Sequence, residues 1–239
     1  MLGWTGAEAQ ISVDKLQVRV GYSVNNARAK NFNHLVTAFN RDRFPLTIQE
    51  NLPSLNFLYG MVVGLEYALN ENLHIYAQVK NQRDFLEARY TDSDFYRSYL
   101  FRATTFEAGA KIPLGNEGRI RHFAGGGFNL GVMGVYTDRD TTQGYDGGKN
   151  MLNIDRSEII GVHGFYEAQF VIIPNIRLYL RPTMSFALNT NVSRLNQFFN
   201  PQVGENEITF PVGEGEEYDR GNLNGIGIEG GLIILLPEL

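Results

Sequence analysis

Cysteine is absent from the 239 residues, which removes disulfides, thiolate metal sites and cysteine nucleophiles together. Also absent is any run of the roughly 18 to 20 apolar residues that a transmembrane helix needs. Mean hydropathy is -0.22. These facts exclude a helical membrane protein but not a barrel, whose alternating strands give a much weaker hydropathy signal. Basic charge is scarce as well. The net charge is -5 and the pI about 5.4, so no nucleic-acid partner is expected.

What is present is glycine, with 26 residues, and aromatics, at 12% of the chain. Both suit an all-β protein with many turns. Apolar residues alternate with polar ones in eight stretches, about Asp14–Asn25, Phe57–Leu69, Leu73–Gln82, Leu100–Leu114, Arg119–Tyr136, Glu158–Ile173, Ile176–Asn189 and Asn224–Leu236. Period two is the signature of a strand with two unlike faces. Three connectors are short: Asn70-Glu71-Asn72, Gly115-Asn116-Glu117-Gly118 and Pro174-Asn175. They all fall at one end of an up-and-down meander. The others, 26–56, 83–99, 137–157 and 190–223, are long and project from the opposite end. Long connections of this kind carry function or disorder. In the first, Phe32, Leu35, Val36 and Phe39 have helical spacing and predict a short helix over Phe32–Phe39. Pro182 falls inside a strand, where it must drop one ladder hydrogen bond, and a bulge is predicted there.

One parity of every strand is apolar. The other collects glycine and charge: Glu66, Lys80, Glu107, Lys111, Arg121, Glu167, Arg177, Arg181 and Glu229, interleaved with Gly60, Gly64, Gly125, Gly127 and Gly227. An eight-stranded barrel has an interior just wide enough for side chains or one small ligand. Eight full apolar rows would crowd it. Glycine facing water would cover nothing and weaken the strands, whereas facing inward it leaves room for long polar neighbours. Opposed charges persist when buried only if they are paired and hydrogen-bonded, and this set carries both signs. The expectation is therefore a single eight-stranded antiparallel up-and-down transmembrane β-barrel with a polar, salt-bridged interior and the apolar parity outside. Tyr22, Phe57, Tyr59, Tyr136 and Phe186 stand toward the long-loop ends, where an interfacial aromatic girdle belongs. Tyr67 and Phe170 stand nearer the short turns. A soluble lipocalin-like ligand carrier is the alternative that turns the apolar parity inward.

Eight strands, short turns alternating with long loops and a polar interior make the chain resemble the small OmpA/OmpX-type outer-membrane barrels. The resemblance is architectural and covers nearly all of the chain. It implies the outer membrane of a Gram-negative cell, contact with outer-membrane lipid, and both chain ends in the periplasm. The chain departs from the pattern in ending Leu235-Leu236-Pro237-Glu238-Leu239, without the terminal aromatic that such barrels often carry. Ala7-Glu8-Ala9 has the small-x-small form of a signal-peptidase site. Residues 1–10 are accordingly read as a residual signal tail or disordered N-terminus, and 11–239 as one barrel domain.

Some barrels of this architecture are lipid A acyltransferases or deacylases that use His with Ser and an acid. Of the four histidines, His34 has no Ser neighbour, His74 lies near a short turn, and His122 stands beside Arg119 and Arg121. His163 faces inward with Ser157 and Glu158 upstream, yet nothing fixes a nucleophile–base–orienter geometry. Asp138-Arg139-Asp140 suggests calcium ligands, but the glycine falls one place late and no bidentate Glu closes the loop. The loop 190–223 gathers Glu205, Glu207, Glu214, Glu216, Glu217 and Asp219 around Phe198, Phe199 and Phe210. No cofactor, metal or catalytic residue is expected. The leading expectation is a non-enzymatic scaffold or binding protein that meets a protein partner in an envelope complex, or a surface ligand, through its long loops.

Overall fold

A computed structural model describes residues 16–26, 33, 36–37, 40, 48–90, 96–137, 152–189 and 225–236. Nine strands form one sheet: β1 Leu16–Asn26, β2 Ile48–Glu50, β3 Phe57–Asn70, β4 Leu73–Tyr90, β5 Tyr96–Glu117, β6 Ile120–Thr137, β7 Leu152–Ile173, β8 Ile176–Asn189 and β9 Gly225–Leu235. Every pairing is antiparallel. The β1–β9 and β4–β5 ladders close β1 and β3–β9 into an eight-stranded barrel, leaving no open edge. The ninth strand, β2, only extends the far end of β4.

Exposure settles which face is inside. Leu178, Leu180 and Ile228 are 49%, 51% and 46% exposed, whereas Glu66, Arg181 and Glu229 are each 1% exposed. One ladder row runs Leu178, Leu232, Val20, Val63, Val79, Phe106, Leu130 and Ile160, taking one outward apolar residue from each barrel strand. Traced onward it meets β8 again at Asn189 rather than Leu178. Closing a tilted barrel requires such a stagger. A soluble monomer does not expose an apolar surface on this scale. The strands also reach or exceed the roughly 9 to 11 residues of a membrane crossing. The protein is a transmembrane barrel, and the ligand-carrier alternative, which needs the opposite parity inside, fails on the same exposures.

Four expectations are corrected. The connector 83–99 is mostly strand, because β4 runs to Tyr90 and β5 begins at Tyr96. Similarly, β7 begins at Leu152 rather than near Glu158. The reason is a change of solvent along each strand. Beyond the hydrocarbon the outward positions carry Arg83 and Arg102, while the inward ones become apolar: Leu86, Ala88, Phe101, Ala103, Met133 and Val135 are all buried. The outward parity becomes mixed, with Phe85 and Leu100 following the arginines, and so escapes a search for one continuous stripe. At the opposite end β5 continues to Glu117, and the turn narrows to Gly118-Arg119, with Gly118 at φ 59°. Among the described residues, only that position needs the left-handed backbone that glycine supplies. Finally, Pro182 produces no bulge. The pairs Phe165–Thr183 and Ala168–Leu180 keep one register across it, and only the ladder contacts between them are missing.

Of the helix predicted over Phe32–Phe39, the described residues Asn33, Val36, Thr37 and Asn40 are helical. Asn33 and Asn40 lie two turns apart on one face. Asn33 donates to the Leu55 carbonyl and accepts from the Leu55 amide, at 3.0 and 2.7 Å, and Asn40 does the same for Leu52, at 2.9 and 3.0 Å. The two clamps satisfy backbone groups of the strand-free stretch before β3, and Leu52, Leu55 and Val36 are buried. The signal-like tail, His34, the Asp138-Arg139-Asp140 stretch and the acidic residues of 190–223 lie outside the described residues.

Candidate functional site

The inward parity places long polar side chains at mid-barrel, and backbone closure brings distant strands within reach. Arg19 is the hub. Its guanidinium donates to Glu167 at 2.7 Å and to Glu66 at 2.9 Å, and lies 3.6 Å from Glu229. Lys111 bridges the same Glu167 and Glu66 at 2.6 and 2.7 Å. Arg181 Nε donates to Glu167 at 2.7 Å. Lys80 joins Glu107 and Glu229 at 2.9 and 3.1 Å. Glu66, Glu107, Glu167 and Glu229 thus face Arg19, Lys80, Lys111 and Arg181, an equal number of each sign.

Other polar groups supply most of what the ions leave over, although Arg181 Nη2 has no hydrogen-bond partner among the described residues. Gln78 donates to Glu107 and Glu229 at 2.7 and 3.1 Å, and accepts from Arg181 at 3.2 Å. Tyr179 donates to Glu229 at 3.0 Å. His74 Nδ1 meets Glu66 at 2.8 Å. Aromatic faces cover the cations: Arg19 lies 4.4 Å over Tyr179, Lys111 4.3 Å over Phe123 and Arg181 4.0 Å over Phe165. In a site removed from water, cation–π contacts of this kind are strong. Each carboxylate accepts several charge-assisted hydrogen bonds, the condition on which buried charge persists.

Glycine makes the room. A Cβ on Gly21 would stand 2.3 Å from the Tyr179 hydroxyl, and one on Gly125 would stand 2.5 Å from the Phe165 ring. Gly21→Ala is therefore expected to destabilise the barrel by about 1–3 kcal/mol through overpacking, read as a lower urea midpoint for the detergent-folded protein. A Cβ there also stands 2.6 Å from the Gly230 carbonyl oxygen, so an unchanged midpoint would show that both Tyr179 and the β9 backbone give way.

Not every inward charge named from sequence belongs to this cluster. Arg177 is buried near the short turns, donates to Gln169 at 3.2 Å and makes no ion pair among the described residues. Gln169 in turn donates to Glu167 at 2.5 Å, so Arg177 reaches the cluster only through an amide. Arg121 stands half-buried at the same rim and likewise has no ion pair among the described residues. Arg19 is the member the sequence reading missed. Its signal was available, since it shares a parity with Gly21 and alternates with Val18 and Val20.

His163 is 5% exposed, hydrogen-bonded through Nε2 to the Tyr76 hydroxyl and stacked on Phe165. His122 instead points outward and stacks on Tyr166. Above the ionic cluster lies a cavity of about 40 Å³ lined by Asn25, Gln82, Thr105, Asn129 and Ser185 among others, with room for a few water molecules. Above that is the apolar layer of Leu58, Phe101, Met133 and Ile159.

No family model and no curated protein sequence matches the chain. Solved structures similar to it include Neisserial surface protein A, 11% identical over 93% of this chain and 97% of that one, with a TM-score of 0.44. Outer membrane protein OprG from Pseudomonas aeruginosa is 6% identical over 92% and 94%, at 0.45. Ail, the attachment invasion locus protein of Yersinia pestis, is 9% identical over 92% and 95%, at 0.42. Likeness at this level carries no residue-by-residue transfer. What this chain itself shows is a closed eight-stranded transmembrane barrel with an apolar exterior and a charged bore.

Proposed function

We propose that this outer-membrane barrel is a non-enzymatic, non-conducting platform that holds its outer end in place for binding, as a scaffold or as one subunit of a larger envelope complex. The observation that carries the reading is the Arg19 cluster, which links β1, β3, β7 and β9 across the middle of the bore. Ions would have to displace paired charges to pass, and the apolar layer above presents a second barrier. In this reading residues 11–239 act as one domain, with both chain ends in the periplasm and the ionic cluster serving structure rather than chemistry.

The geometry favours binding over catalysis. His163 meets Tyr76 and Phe165 inside the bore, where a membrane lipid does not reach. Among the described residues, what projects is the β4–β5 hairpin. Its ladder continues from the level where Thr137 ends β6 opposite Tyr99 to the pair Arg89–Tyr96, with β2 added along its edge. A paired, two-stranded extension offers a firm surface to a partner at low entropic cost.

Purified protein inserted into planar bilayers is expected to give no step conductance. A steady ohmic current would overturn the closed-bore reading. Co-purification from native membranes, with the intact hairpin and with residues 87–98 replaced by a short turn, tests the binding role. A partner retained equally by both forms would move that role elsewhere.

A further inference from the structure

On the outer surface, Arg83 of β4 and Arg102 of β5 stand directly opposite each other, both exposed and both pointing away from the bore. Directly opposed residues of an antiparallel pair have Cβ atoms about 4.5–5.5 Å apart, and like charges there repel. Neither arginine makes an ion pair among the described residues. Each lies just past the apolar belt: one polar residue, Asn81 or Thr104, separates it from Val79 or Phe106. The same ladder row continues to Tyr59 on one side and through Gly134 to Arg156 on the other. Gly134 leaves a gap that the Tyr136 ring fills, since a Cβ there would stand 2.9 Å from the ring and 3.0 Å from its hydroxyl. Phe85 and Leu100 form the next pair outward. Among the described residues, acidic groups on this outward surface are Glu50 on β2, Glu87 on β4 and Glu158 on β7, none opposite the arginine pair.

We infer that Arg83 and Arg102 form a binding site for the phosphate of an outer-leaflet lipid, with the Tyr59 and Tyr136 rings flanking its headgroup. The inference rests on the transmembrane reading with the long-loop end outward. Two guanidinium groups on directly opposed residues can reach one phosphate and supply bidentate recognition of it, and the anion removes the repulsion that the bare pair carries. Position selects the source. A free anion would have no reason to sit at the edge of a hydrocarbon belt, whereas the phosphate of a lipid whose chains lie against Val79 and Phe106 arrives there by anchoring.

The test is native mass spectrometry of the detergent-folded barrel with lipid A bisphosphate, with dephosphorylated lipid A and with inorganic phosphate. Wild-type protein should retain the bisphosphate form and release the dephosphorylated form. Arg83→Gln combined with Arg102→Gln should weaken retention about tenfold or more, Arg83→Lys with Arg102→Lys should weaken it less, and Arg119→Gln at the opposite rim should leave it unchanged. Equal retention of both lipids, or no loss in the double Gln variant, overturns the site. Competition by inorganic phosphate at the concentration at which the lipid binds also overturns it, by assigning the pair to free anions. The underlying membrane reading fails differently, by folding in buffer without detergent, and that control is run on the same preparation.

Discussion

Glu167→Gln is expected to destabilise the barrel by about 3–5 kcal/mol, the range for removing one partner from a buried ion pair. Glu167 is the carboxylate shared by Arg19, Arg181 and Lys111, at 2.7, 2.7 and 2.6 Å, with side-chain exposures of 0 to 2% throughout. Taking its charge away leaves the central cations facing fewer carboxylates than their number. Phe123 and Phe165 cover Lys111 and Arg181, which limits relief of the lost charge by water. Urea unfolding in detergent micelles, followed by far-UV circular dichroism, measures the loss. A change under 1 kcal/mol would show that the cluster is hydrated and dispensable. Adding Arg19→Met separates pairing from packing. Because the two residues share one hydrogen bond, the double variant should recover part of the loss rather than sum the two single effects.

Val63→Arg is expected to cost about 2–4 kcal/mol in a bilayer, as arginine does on the lipid face of a barrel near the midplane. Val63 is 51% exposed and lies in the apolar row that crosses all eight barrel strands. The same substitution at Phe57, where β3 begins at the outer end, should cost only about 0–1 kcal/mol, because arginine there reaches the headgroups. The contrast between the two sites matters more than either value. A soluble barrel would tolerate an exposed arginine equally well at both. Equal stability of the two variants in lipid would therefore remove the hydrocarbon belt, and with it the membrane assignment.

These two predictions differ in how far they could be read without coordinates. The belt position follows from period two alone, since Val63 shares a parity with Met61 and Leu65 and opposes Gly64 and Glu66. The strand limits of Ile176–Asn189 were also legible, because Pro174-Asn175 punctuates one end and apolar alternation fills the rest. The outer halves of β4 and β5 were not. There the outward positions leave hydrocarbon for the aqueous rim, so Arg83 and Arg102 occupy the parity that apolar residues hold below.

The sequence by itself determined which residues share a face, because side-chain direction in an extended chain is a local property that alternates at every residue. It determined too that one face had to be greasy and the other glycine-rich and charged. Only the closed sheet decided which charge meets which. Arg19 and Glu167 are 148 residues apart in the chain, and they touch because β1 closes the ring against β9 while β7 stands across the bore. Pairing across a barrel depends on the stagger at which it closes, a sum over eight ladders that no local stretch of sequence carries.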